Sequence, residues 1–223
     1  MQALAAGAGA LLALAHAVLV VPRLPEPSAP PLPGDPPKPP YRDLVTPGRV
    51  SVLVAGCFVC GMVCWSLPSE QWPLWVVYAG GFGPLVGIDA LTTYLPRRLH
   101  YLALAELGIA LAVFGALSSW GNAARALLGG AALCSIFWAV WRMGSGLGFG
   151  DVRLSFAVGI VASASSLTML LQAALFGSLI GAGWGIVASL VRRSRGHPPG
   201  VFPYGPALWL GPFAAVCLTA WTG

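Results

Sequence analysis

Residues 154–191 read LSFAVGIVASASSLTMLLQAALFGSLIGAGWGIVASLV, 38 residues without one charged side chain. A helical crossing of a ~30 Å hydrocarbon core takes about 20 apolar residues, so this run is too long for one crossing and suited to two. The small polar cluster Ser163-Ala164-Ser165-Ser166 interrupts it, which predicts a short helix before that point and a longer one after it. Composition agrees with a membrane bundle. Of 223 residues, 57% are hydrophobic and only 9% charged, with a mean hydropathy of +0.78. A soluble globule of that size would expose large apolar patches.

Outward from this stretch, further apolar segments fall at 3–21, 50–67, 73–88, 99–118, 123–141 and 201–221, giving eight in all. The fold class expected is therefore an all-α polytopic transmembrane helical bundle. Three regions follow: an N-terminal transmembrane helix over 1–21, a proline-rich tether over 22–49, and a transmembrane domain over 50–223. Residues 22–47 hold 11 prolines, too many for a helix or a central strand, so the tether reads as extended and polyproline-like. Ala15-His16-Ala17 resembles a signal-peptidase site. No basic residue precedes the first apolar run, however, and Arg23 follows it, which favours a retained helix with its N-terminus outside.

The basic residues orient the bundle. Arg23, Lys38, Arg42 and Arg49 follow segment one; Arg97 and Arg98 follow segment three; Arg142 and Arg153 follow segment five; Arg192, Arg193 and Arg195 follow segment seven. Only Arg125 falls in an alternate loop. This asymmetry places those four loops in the cytoplasm and both termini outside. It also accounts for the net charge of +5 through topology and anionic lipid, so nucleic-acid binding is not invoked.

Acidic residues are scarce, and two of them sit at cytoplasmic segment edges: Asp89, followed by LTTYLP, and Asp151, at the end of Gly148-Phe149-Gly150-Asp151. An ionisable group at a membrane boundary is costly, so each is a functional candidate. Gly148 and Gly150 permit positive φ and are expected to leave the backbone open to an extended peptide. Glu106, about two turns into the fourth segment, is an auxiliary candidate, with structural pairing the equal alternative. The run Gly144–Gly150 lacks the spacing and the Gly-Lys-Ser/Thr of a phosphate cradle.

Cysteine and histidine point to no metal. Cys57, Cys60 and Cys64 share a helix face, but no second C-x-x-C or nearby His completes a four-ligand site, so they read as interhelical packing. His16, His100 and His197 are expected at interfaces, as are Trp65, Trp72, Trp75, Trp120 and Trp141.

The residues Gly148-Phe149-Gly150-Asp151-Val152-Arg153-Leu154 resemble the G-x-G-D signature of the type IV prepilin peptidases, GxGD-type membrane aspartyl proteases. Gly159 lies where that family's next helix usually carries a glycine. Asp89 with Leu95-Pro96 is similar to the family's first catalytic aspartate and its Leu-Pro dipeptide, and Phe202-Pro203-Tyr204-Gly205-Pro206 to its P-F-G-P segment. The resemblance implies that Asp89 and Asp151 are catalytic, and that Gly148, Gly150, Pro96, Gly205 and Pro206 serve the motifs and substrate access. It implies no cofactor, a prepilin or pseudopilin substrate with a short basic leader, and a site at the cytoplasmic face of the plasma (inner) membrane. Arg97 departs from the family's usual Asn or Asp. The paired C-x-x-C domain of bifunctional members is missing between segments one and two, which implies proteolysis without N-methylation. Two other readings stand beside this one, a proton-coupled transporter and an inactive scaffold for pilus or secretion assembly; midplane ion sites and internal repeats, which would favour the transporter, are not evident.

Overall fold

A computed structural model describes residues 2–26, 38–144, 146–194 and 202–222. Among these residues there is no strand. Helix α1 (Gln2–Ala15) runs on through a π-helical turn at His16–Val20 and a tight turn at Val21–Arg23. After the tether come α2 (Tyr41–Leu44), α3 (Pro47–Gly61), α4 (Trp72–Thr92), α5 (Arg97–Leu117) and α6 (Trp120–Arg142). The chain closes with α7 (Phe149–Ser165), α8 (Leu167–Ser194) and α9 (Gly205–Thr222).

Six of these stretches are long and apolar enough to cross a membrane: Ala3–Arg23, Pro47–Ser66, Ser69–Thr92, Arg97–Leu117, Trp120–Arg142 and Leu167–Ser194. The protein is a multi-pass membrane protein, with α7 and α9 as shorter helices packed among the longer ones. The uncharged run 154–191 is divided where the serine cluster falls. Ser166 is extended (φ −165°, ψ 165°), and its hydroxyl accepts the Met169 N–H at 3.0 Å, capping α8 as α7 ends.

Helix α4 is the centre of the bundle, with 72% of its apolar window buried. Small residues let its neighbours approach. Gly80 lies against the backbone of Gly9 in α1, and the Cys57 sulfur of α3 fills the notch at Gly83. Cys57 and Cys64 are buried, as the packing reading expects. Across α6 and α7, a β-carbon on Gly159 would stand 2.6 Å from the Gly129 carbonyl oxygen, so this pair of helices meets at backbone distance.

The contact between α4 and α9 is polar as well as aromatic. The Tyr78 hydroxyl donates to the Trp209 carbonyl and the Trp209 indole N–H donates to the Tyr78 carbonyl, each at 3.0 Å. Phe213 packs on both rings. This reciprocal clamp fixes the depth of α9 against α4, and with it the position of the α9 N-terminus beside the end of α4.

Several expectations are corrected. His16 and His100 are buried rather than interfacial, and Trp75 is enclosed among Tyr78 and Phe213. His16 pairs with Glu106, and the His100 and Trp75 rings pack edge-on against Phe82 and Phe213, so ring packing between helices outweighs an interfacial position. The tether is anchored at both margins: Tyr41 and Leu44 are buried against the bundle, and the Glu26 carboxylate accepts the Tyr41 N–H at 2.8 Å. The polyproline-like stretch at 27–37, together with Arg195 and His197, lies outside the described residues.

Candidate active site

Asp89 belongs to the last turn of α4, which continues past the expected end of its segment to Thr92. The helix closes on Thr93, the one non-glycine residue with positive φ among the described residues (58°), whose N–H bonds the Asp89 carbonyl at 2.7 Å. The Asp89 carboxylate turns inward, is only 4% exposed, and accepts the N–H of Gly205 at 3.0 Å. A β-carbon on Gly205 would stand 2.7 Å from the same oxygen, so glycine is what allows the carboxylate to reach the first turn of α9. Pro206 follows at a position that needs no donor and lines an apolar groove beside α4.

Asp151 enters from the other side. It lies in the first turn of α7, 7% exposed, and its Oδ2 accepts the Gly148 N–H at 3.2 Å. A carboxylate here also faces the positive end of the helix macrodipole. Among the described residues nothing donates to the buried Oδ1. Leu95, from the loop that leaves Asp89, packs on Gly150 in the turn that carries Asp151, which brings together residues 62 positions apart in sequence.

The glycines have a different task from the one expected of them. Positive φ occurs at Gly144 and Gly146, not at Gly148 (φ −74°) or Gly150. Gly148 is the cap that Asp151 satisfies. Gly150 is already helical, and its missing β-carbon makes room for Leu95, whose Cδ1 and Cβ would lie 2.6 and 2.8 Å from it. Leu95-Pro96 thus packs directly on the turn that carries Asp151, and Pro96 then caps α5. Two motifs that are separate in sequence are one contact in space.

Glu106 is not part of this cluster. Its Oε1 pairs at 2.8 Å with Nε2 of His16, in the π-helical turn that extends α1, and its Oε2 is the atom nearest to where a β-carbon on Gly81 would sit, at 2.9 Å. This contact ties α1, α4 and α5 together away from Asp89.

Sequence reasoning missed Lys38, Tyr94 and Tyr204. Tyr204 packs on Gly181 of α8. Lys38 from the tether donates to Thr93 Oγ1 at 2.7 Å and stands 3.9 Å over the Tyr94 ring. The signal that would have found it is its rarity, since Lys38 is the chain's one lysine. No cluster of three or more His, Cys, Asp or Glu suited to a metal occurs among the described residues.

The fold and the site describe a multi-pass helical membrane protein with two acids buried at its helix ends. Residues 76–186 match the type IV leader peptidase family. The chain is also 33% identical over 137 residues to the prepilin leader peptidase/N-methyltransferase of Escherichia coli (strain K12), across 60% of this chain and 58% of that protein. The chain belongs to the type IV prepilin peptidase family. It thus spans less than two thirds of that relative's length. No solved structure matches.

Proposed function

We propose that the protein is a membrane-embedded aspartyl endopeptidase that removes the short basic leader from prepilin or pseudopilin substrates at the cytoplasmic face of the plasma membrane. What supports this is the placement of Asp89 and Asp151, two buried carboxylates at opposite helix ends whose flanking segments meet where Leu95 packs on Gly150. Two adjacent acids cannot both ionise easily, so they share a proton and titrate as a pair. The ionised member takes a proton from a water as its oxygen bonds the scissile carbonyl carbon. The protonated member gives its proton to the carbonyl oxygen. When the resulting diol collapses, the C–N bond breaks, the departing amine takes the proton first drawn from water, and one diol hydroxyl returns its proton to the acid that had protonated the carbonyl oxygen.

The surroundings suit that cycle. Burial keeps bulk water from the pair, and the backbone donors of Gly148 and Gly205 hold each carboxylate in one orientation. The topology expected from the basic loops presents a substrate's cytoplasmic leader and its membrane helix at the same edge as the two acids. Eight crossings with both termini outside and proteolysis without N-methylation belong to this proposal. The site itself asks for no cofactor.

The test is to reconstitute the protein in vesicles with a prepilin and follow product mass. Leader release at the junction of basic leader and apolar helix is the result expected. Solute uptake driven by a pH gradient, with intact prepilin, would establish a transporter instead.

A further inference from the structure

The tether reaches the loop that leaves Asp89. Each carboxylate receives one backbone N–H, from Gly205 for Asp89 and from Gly148 for Asp151. Helix ends do not favour Asp89. Asp151 faces the N-terminus of α7, worth about half a positive charge, while at Asp89 the N-terminus of α9 is offset by the C-terminal end of α4. A full cation changes that balance. Lys38 is held by Thr93 Oγ1 and the Tyr94 face, two residues of the loop that leaves Asp89, and the Thr93 N–H in turn bonds the Asp89 carbonyl, so the ammonium stands at the end of the helix that carries this acid.

Resting on the dyad reading above, we propose that Lys38 is a positioning residue that holds Asp89 as the ionised member of the pair, making Asp89 the proton acceptor from water and Asp151 the proton donor to the scissile carbonyl. The charged and titratable groups around the pair are few. The tether supplies Lys38, α7 supplies Asp151, and Tyr204 precedes α9; Tyr94 lies under Lys38, and Tyr41 is bound through its N–H to Glu26. Burial, with Glu26 and then Tyr94 beside it, pushes the Tyr41 phenol up to about 12, so this ring is a neutral wall to the tether anchor. Asp151 Oδ1, with no donor among the described residues, is the atom that carries the shared proton toward substrate.

The ammonium also sits where the loop geometry is least ordinary. Thr93 is held left-handed, and its hydroxyl points to the tether rather than back to α4. Anchoring of Lys38 thereby depends on the turn that terminates the Asp89 helix, and the tether becomes part of the site instead of a spacer.

The experiment measures kcat/KM against pH for the full chain in vesicles, with a prepilin peptide, in wild type, Lys38→Met, Lys38→Arg and Tyr94→Leu. The acidic limb reports formation of the ionised acceptor in the free enzyme. Loss of the ammonium makes that acceptor harder to ionise, so in Lys38→Met the limb moves to higher pH by about one unit, a tenfold loss of activity on the limb at fixed pH. Lys38→Arg restores the limb, and Tyr94→Leu, which leaves the fold's helices untouched, moves it the same way by less. A Lys38→Met profile superimposed on wild type, or an Arg variant displaced as far as Met, overturns the inference while Asp89→Asn and Asp151→Asn stay inactive. Activity persisting in either asparagine variant overturns the dyad reading, and this inference with it.

Discussion

Leu95 fills the space that a β-carbon on Gly150 would require, with its Cδ1 2.6 Å and its own Cβ 2.8 Å from that point. The loop after Asp89 and the turn that bears Asp151 are therefore one packed unit. Gly150→Ala forces the Leu95 backbone to shift, because the crowding involves Cβ as well as the flexible tip. Overpacking of this kind costs about 1–3 kcal/mol. The expected outcome is a loss of leader cleavage and a lower unfolding midpoint in detergent. Adding Leu95→Ala should recover part of both, and a double-mutant cycle gives the coupling.

Gly205 tests placement separately from stability. A methyl group there meets Asp89 Oδ2 at 2.7 Å and pushes the carboxylate away from the α9 N–H groups. Displacement of a reacting group by about 1 Å is worth roughly a hundredfold in rate. Gly205→Ala should lose activity on that scale, read as kcat in steady-state cleavage, with a comparatively small change in thermal stability.

The fold and the site were legible to different depths. The uncharged run 154–191 and its serine break told where one helix ends and the next begins, because polar groups that compete for backbone hydrogen bonds terminate helices. Asp89 and Asp151 stood out because acid is scarce at membrane edges. The true role of Gly150 was hidden, since a glycine that makes room for Leu95 and a glycine that adopts positive φ look alike in one dimension. Pairings across long separations were equally hidden. His16 and Glu106 are 90 residues apart, and the tether reads as spacer until Lys38 is seen on Thr93.

The His16–Glu106 pair predicts a structural phenotype distinct from a catalytic one. The contact is 2.8 Å long with His16 Nδ1 and Glu106 Oε2 buried without partners among the described residues. Glu106→Ala leaves the imidazole without its acceptor, at a cost of about 1–3 kcal/mol. Lower thermal stability is expected, with helix α1 more accessible to protease, while the folded fraction cleaves with an unchanged pH profile. Glu106→Gln should retain most of the stability by keeping an acceptor oxygen. A shifted pH profile in Glu106→Gln would place this residue in the site after all.

The most direct test of the carboxylate pair is the rate of prepilin leader removal in Asp89→Asn and Asp151→Asn, each made singly in the full chain and checked for wild-type folding in detergent. Asparagine keeps the size of the side chain but cannot exchange the proton. Both variants are expected to fall by at least roughly 10²–10⁴-fold, the contribution of a positioned acid or base. Processing at the wild-type rate by either variant would contradict the account.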